Sequence, residues 1–392
     1  MNHFRKSFIA VAFAIGFLCL AGAIDAQTVS VGNVEELYSA VNNQANAGAT
    51  IVLAPGVYTL SVNDPSGNPR ANKGRLELQE NMSLLGAVND RSAVVIDAAD
   101  LPLASYQTPT LSGAIRIGRG TNSIESLTVK NAVNGTANIE TDLIWPGTAY
   151  VRIAHIASVN SVRGLDVRNI GTAAAGSMIE ADVVDNEMSG HLLRQGEGMR
   201  FGNNLGANGA AVIARLSGNR SFNNVQGMLL ENNRSDHARV SVTSSGDRFF
   251  ENGAGTIILA GLGFLTVAAN QNVIDFEAHG TRFEDNNGPT PFDRGGLFIV
   301  GGENTSFPNG TNNNTVHVGL WGCRFSNNQM VDLAGIGARS NPESIGLPGV
   351  NNRVTIEING EGSGKGRWQQ VEFFADSLPA DPNTTNSATV IH

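Results

Sequence analysis

The sequence predicts an all-β solenoid, on three observations. Between residues 212 and 328 an alternating apolar strand is followed by a glycine, an Arg two positions later and an Asn six positions later, and the pattern occurs four times. Successive glycine positions, counting weaker copies on either side, lie 33, 28, 34, 42 and 38 residues apart. A constant core with inserts of variable length is how a repeat protein tolerates loops. The chain also holds 46 Gly but only 6% aromatic and 16% charged residues, the balance of turn-rich β structure.

From the start, the first 26 residues read as an export signal. Arg5 and Lys6 precede an apolar run from Phe8 to Leu20, and small residues lead to Ala26. The expected mature chain is exported, to a periplasm, a cell surface or the medium, and Cys323 is its one cysteine, so no internal disulfide is expected. Removing Arg5, Lys6 and Asp25 takes the net charge from −9 to −10, which makes nucleic acid and anionic membranes poor partners. No later apolar run has the roughly 18 residues of a membrane span.

Asn33-Val-Glu-Glu36 reads as a helix cap. Val34, Leu37, Tyr38 and Val41 mark one face of a short N-terminal helix, from about 34 to 46, that covers the exposed edges of the first coil. Residues 27–110 are read as this cap and the first coils, and residues 179–360 as the clearest repeats. In the four strong copies, Val212, Ala214 and Leu216 precede Gly218, Arg220 and Asn224. Val240, Val242 and Ser244 precede Gly246, Arg248, Phe249 and Asn252. Ile274, Phe276 and Ala278 precede Gly280, Arg282, Phe283 and Asn286, and Val316, Val318 and Leu320 precede Gly322, Arg324, Phe325 and Asn328. Alternate residues of a strand share one face, so the three apolar positions point inward. The Phe, at an odd offset, joins them only if the glycine turns a corner. A second short strand follows each Asn, from Met228 to Leu230, Thr256 to Leu259, Leu297 to Val300 and Val331 to Leu333. Trp368, Val371, Phe373 and Phe374 are expected to close the last coil of a domain spanning 27–375, and 376–392 to fray as a flexible tail.

With Phe stacked on Phe and Asn on Asn, the sequence resembles the right-handed parallel β-helix of the pectate-lyase-like (pectin-lyase-like) superfamily. Phe249, Phe283 and Phe325 match its interior aromatic stack, and Asn224, Asn252, Asn286 and Asn328 its asparagine ladder. Thr50-Ile-Val-Leu-Ala-Pro-Gly-Val-Tyr58 looks like its entry strand and turn. The resemblance spans residues 28 to about 375 and implies the fold, not an activity. Asp236-His237 resembles the end of the Trp-Ile-Asp-His stretch of pectate lyases, but Arg234 and Ser235 replace the apolar pair. His279-Gly280 resembles half of the polygalacturonases' Gly-His-Gly, but Ala278 replaces the first glycine. No aspartate cluster suggests a calcium site, and no metal or other cofactor is expected.

The inserts 193–210, 231–239, 260–272, 301–315 and 335–352 fall at one place in the repeat and are expected to line one side of the stack as a cleft. The first two hold Arg194, Glu197, Arg200, Glu231, Arg234, Asp236, His237 and Arg239. Elimination from an acidic sugar needs a base and cations that stabilise an enolate, which makes His237, Asp236 and Arg200 the catalytic candidates. Arg194, Glu197, Glu231, Arg234 and Arg239 are the substrate-binding candidates, and Glu197, Glu231 and Asp236 the carboxylates available for hydrolysis. The competing reading is a set of solvated loop charges. Against a glycan array, the aromatics of this side are Phe201, Phe264 and Phe307, with no Trp or Tyr. Two functions follow: an exported β-helix presenting a binding or scaffolding surface, for a polysaccharide or cell-surface glycan, or a polysaccharide-active enzyme, lyase before hydrolase, with its site near 194–239.

The Arg column, Arg220, Arg248, Arg282 and Arg324, is expected to form an outward ion-pair ladder with Asp247, Glu251, Glu284 and Asp285, the competing reading being a cationic stripe for a polyanionic chain.

Overall fold

The computed structural model describes residues 27–102, 113–263, 267, 269–287, 295–304, 311–329, 331–340, 349–359, 371–376 and 385–391. Phe264, Phe307, Trp368 and the proposed leader lie outside them. The described residues wind into a parallel β-helix of three sheets. The first sheet has twelve strands, from Thr28–Val31 to Ser387–Ile391. The second has nine short strands, from Gly56–Ser61 to Arg324–Ser326, and the third has ten, from Leu76–Leu78 to Val371–Asp376. Each complete coil contributes one strand to each sheet in that order, and the coils at the two ends contribute fewer among the described residues.

Register turns the repeat into columns. Ile179, Val212, Val240, Ile274, Val316 and Val354 are partners on successive strands of the first sheet, and all are buried. Gly218, Gly246, Gly280 and Gly322 turn the corner into the second sheet with φ between 61° and 68°. Beyond them Phe249, Phe283 and Phe325 point inward and stack, with centroids 5.5 and 4.7 Å apart. A Cβ at Gly280 would meet no atom within 4 Å, so Gly280→Ala tests conformation alone. Left-handed backbone costs an L-residue about 1–2 kcal/mol, and chemical denaturation of this variant should show a loss of about 1 kcal/mol.

At the next corner the asparagines bond as a ladder. The Asn224, Asn252 and Asn286 backbone N–H groups donate to Oδ1 of Asn252, Asn286 and Asn328 at 3.1–3.2 Å. His191 holds the same place one coil earlier, its N–H donating to Asn224 Oδ1 at 3.0 Å. Other buried ladders run Asn169–Asn203–Asn232, Asn272–Asn314–Asn352–Asn386 and Asn186–Asn219–Asp247. These amides close the polar accounts of the buried turns, where a lone N–H or C=O would be costly.

The helix Val34–Asn42 begins as expected, with Asn33 Oδ1 accepting from Glu36 N at 2.9 Å and the Glu36 carboxylate returning to Gly32 N at 2.6 Å. Its Leu37, Tyr38 and Val41 are buried in the core beside the first coil's strands. It is followed by a separate 3-10 turn, Gln44–Asn46.

Three expectations change. The strands of the third sheet reach beyond their apolar residues: Glu197–Asn204, Gln226–Asn233 and Ala254–Gly263 run into what the sequence reads as inserts. Their inward positions continue with the Asn169–Asn203–Asn232 ladder, so pairing persists where hydrophobicity stops. Ser387–Ile391, expected in a frayed tail, pairs with Arg353–Asn359, and its Ala388 and Val390 pack on the core. The Arg column is in register and outward, with Arg220 on Glu187 at 3.0 Å and Arg248 on Glu284 at 2.7 Å. Asp247 is not part of it but buried in its ladder, where Asn219 and Ser244 donate to its carboxyl at 2.6–2.8 Å. Cys323 is buried, its Sγ donating to Ala278 O, and burial pushes its thiol up to about 11, away from nucleophilic use.

Candidate functional site

The outer face of the third sheet carries an unusual set of charges. Glu77, Arg116, Glu140, Asp166 and Arg200 are partners on five consecutive strands, Leu76–Leu78, Ile115–Ile117, Ile139–Leu143, Arg163–Ile170 and Glu197–Asn204. The last four of them are buried. Neighbouring positions add Arg163, Arg168, Glu197 and Glu231, also buried.

These ions are held by one another. Arg168 grips Asp166 through Nε and Nη2, both at 2.6 Å, and Arg163 lies 3.7 Å from the same carboxylate. Arg163 Nε sits 2.9 Å from Glu197, a charge contact without the alignment of a hydrogen bond. Arg200 donates to Glu231, which also accepts from the Asn204 amide at 2.6 Å. Burial alone raises a carboxyl. Arg168 and Arg163 outweigh it at Asp166, and Arg200 and Asn204 at Glu231, so both stay ionised below the usual carboxylate range.

The structure thus divides the eight sequence candidates. Glu197, Arg200 and Glu231 belong to the buried network, on strands rather than loops. Arg194 is exposed in the turn before it. Arg234 lies close enough to Glu231 and Arg200 to feel both charges, and burial draws its guanidinium pKa down. Asp236 and His237 lie in the following turn, where Asp236 is a ladder rung: its N–H donates to Asn208 Oδ1 at 2.8 Å and its Oδ1 accepts from Asn270 N at 2.7 Å. His237 is exposed in left-handed backbone. Arg239 is on a different surface, the outer face of the first sheet, paired with Asp275 at 2.7 Å. The Arg200 guanidinium is engaged and the Asp236 carboxylate holds a turn together.

An open cleft of about 560 Å³ lies where the charged column reaches its N-terminal end. Its walls include Glu77, Arg116, Arg119 and Trp145, with the amides of Asn42, Gln44, Asn72 and Gln79 around them. Arg116 is fixed by Glu77 at 2.9 Å and lies 5.4 Å from the Trp145 ring, an approach that steadies the indole. Trp145 keeps 48% of its surface exposed, and Arg119 is exposed beside it. Sequence reasoning missed this site because it lies upstream of the legible repeats. Its one signal was a Trp in the turn Ile144-Trp-Pro-Gly147 of an aromatic-poor chain. Among the described residues no group of three or more His, Cys, Asp or Glu is placed to hold a metal ion, and no helix is long and apolar enough to cross a membrane.

No protein-family model matches the chain, and no curated protein matches it in sequence. Among solved structures it is similar to the pectate lyase Pel9A, at 11% identity and a TM-score of 0.42 over 83% of this chain and 79% of that one. It is similar to the A-module of the Azotobacter vinelandii mannuronan C-5 epimerase AlgE6, at 14% identity and a TM-score of 0.39 over 88% and 93%. A rhamnogalacturonan lyase is a third, at 13% identity and a TM-score of 0.35 over 91% and 88%.

Proposed function

We propose that this protein is an exported β-helix whose cleft at Trp145 binds a segment of polysaccharide. The observation that carries this reading is the exposed indole, steadied from beneath by a buried, paired arginine and ringed by side-chain amides. An aromatic face suits the apolar face of a sugar ring, and Asn and Gln offer both donors and acceptors to its hydroxyls. Arg119 supplies an exposed cation for a uronate carboxylate at the rim.

The alternative is a lyase acting near residues 194–239, with the exposed His237 as its candidate base. Elimination needs a cation free to meet the developing enolate and a base aimed at the same carbon. Arg200 is instead held by Glu231, and Asp236 by its turn.

The test is a binding panel of acidic and neutral polysaccharides with the mature protein, followed by ultraviolet absorbance for unsaturated products. At least one polymer should bind without product formation. Trp145→Ala should weaken it at least about tenfold, the loss of one good stacking contact of about 1.4 kcal/mol, with the melting temperature unchanged. Silence across the panel, or equal binding by the variant, contradicts the proposal.

A further inference from the structure

A second recess of about 360 Å³ lies on the outer face of the first sheet, in its C-terminal half, away from the Trp145 cleft. Its middle column is Glu277, Gly319 and Glu357 on three successive strands, flanked by His279 and Trp321. Gly319 is there because of the indole: a Cβ at this position would lie 1.9 Å from Trp321 Cη2. One face of that indole is stacked on His279, with centroids 4.6 Å apart and planes within 8°. A ring stacked that way on the preceding strand turns its other face toward the following one, where Glu357 lies beside Gly319.

The charges around this notch are unbalanced. Asp275 is neutralised by Arg239 at 2.7 Å. Among the described residues Glu277 has only His279 Nε2 at 3.9 Å as an ion-pair partner, and Glu357 has none. The indole covers Gly319, so an ammonium group on its open face meets Glu357, one strand or roughly 4.8 Å from the glycine, while Glu277 lies on the far side of the ring and adds its charge from there. An open aromatic face beside a carboxylate, in a field of unbalanced negative charge, is the chemistry that recognises an organic ammonium group, whereas a polyanion is repelled. We propose that this notch binds an alkylammonium group, carried by an amino sugar or by a free polyamine.

Calorimetric titration with a glucosamine oligomer, its N-acetylated counterpart and spermidine tests this. Saturation by the glucosamine oligomer alone supports an amino-sugar site, and saturation by both amines supports a general ammonium site. In either case the N-acetylated oligomer should bind at least tenfold more weakly. Glu357→Gln and Trp321→Ala should each lower affinity about tenfold, with thermal unfolding run beside them to show that these outward changes leave the fold intact. The proposal is overturned if neither amine saturates, if the N-acetylated oligomer binds equally well, if Glu277→Gln with Glu357→Gln leaves affinity within twofold, or if Trp145→Ala abolishes the binding.

Discussion

Phe283→Ala should destabilise the protein by about 3–5 kcal/mol, the range for deleting a fully buried phenylalanine, and lower the urea midpoint without changing the slope. Phe283 is fully buried and is the middle ring of three, so its loss removes two stacking contacts and leaves a cavity between Phe249 and Phe325. In a stack of coils each repeat is supported mainly by its neighbours, so the damage should appear first as faster amide exchange in the adjoining coils. Phe222→Ala is the control. Phe222 points outward, half-buried against Phe250 with centroids 4.9 Å apart, and should cost no more than about 1.5 kcal/mol. Equal losses at the two positions would mean that the interior column does not carry the fold.

The ladders give the second large effect, through pH. His191 is fully buried, with Nδ1 accepting from Ser161 N at 3.2 Å and Nε2 at 3.2 Å from Ser158 O. Burial holds its pKa down to about 4 from 6.5, so the unfolded chain binds the proton more readily and stability is lost as pH falls from 6.5 to 4. Asp247 works in the opposite sense. Burial lifts its pKa to about 6 from 3.8, so the folded chain binds the proton more readily and stability falls as pH rises from 3.8 to 6. Each amounts to about 3 kcal/mol at 1.4 kcal/mol per unit, and in the wild type they largely cancel. Asp247→Asn restores the residue found at Asn186 and Asn219. It should stabilise the protein by up to about 3 kcal/mol at pH 7 and expose a steep loss below pH 6. His191→Asn should unmask the opposite slope, with stability falling as pH rises from 3.8 to 6. Stability measured by urea denaturation from pH 4 to 8 checks both, and parallel curves for wild type and the two variants would contradict the assignment.

These two rungs also show what a sequence discloses and what it conceals. Phe249, Phe283, Phe325 and the four ladder asparagines recur at fixed offsets from the corner glycines, so their columns could be read by counting. His191 sits at the asparagine offset from Asp185, but a different side chain hid the equivalence. Asp247 follows a glycine next to Arg248, where a charge is naturally read as an outward partner, because whether a strand position faces in or out after a corner depends on how far the chain turns. Apolar alternation marks the third-sheet strands only as far as their last apolar residue, whereas buried amides extend pairing past it. Ser387–Ile391 was hidden by its polar neighbours despite the alternation of Ala388 and Val390. The candidate site was less legible still. Opposite charges in strand register, such as Asp166 with Arg200, lie 34 residues apart in the chain, and only coil lengths known in advance bring them together. Trp145 stands alone, with no repeat to announce it.

Glycan binding at the Trp145 cleft is the central proposal. The most direct measurement is a titration of isotopically labelled mature protein with the best-binding oligosaccharide of the panel, followed by nuclear magnetic resonance of the tryptophan indole and arginine side-chain N–H groups. Saturable shifts are expected at the Trp145 indole and at Arg116 and Arg119, with Arg200 and the residues 231–239 unmoved. Shifts centred on Arg200, Arg234 and His237, with Trp145 silent, would contradict it.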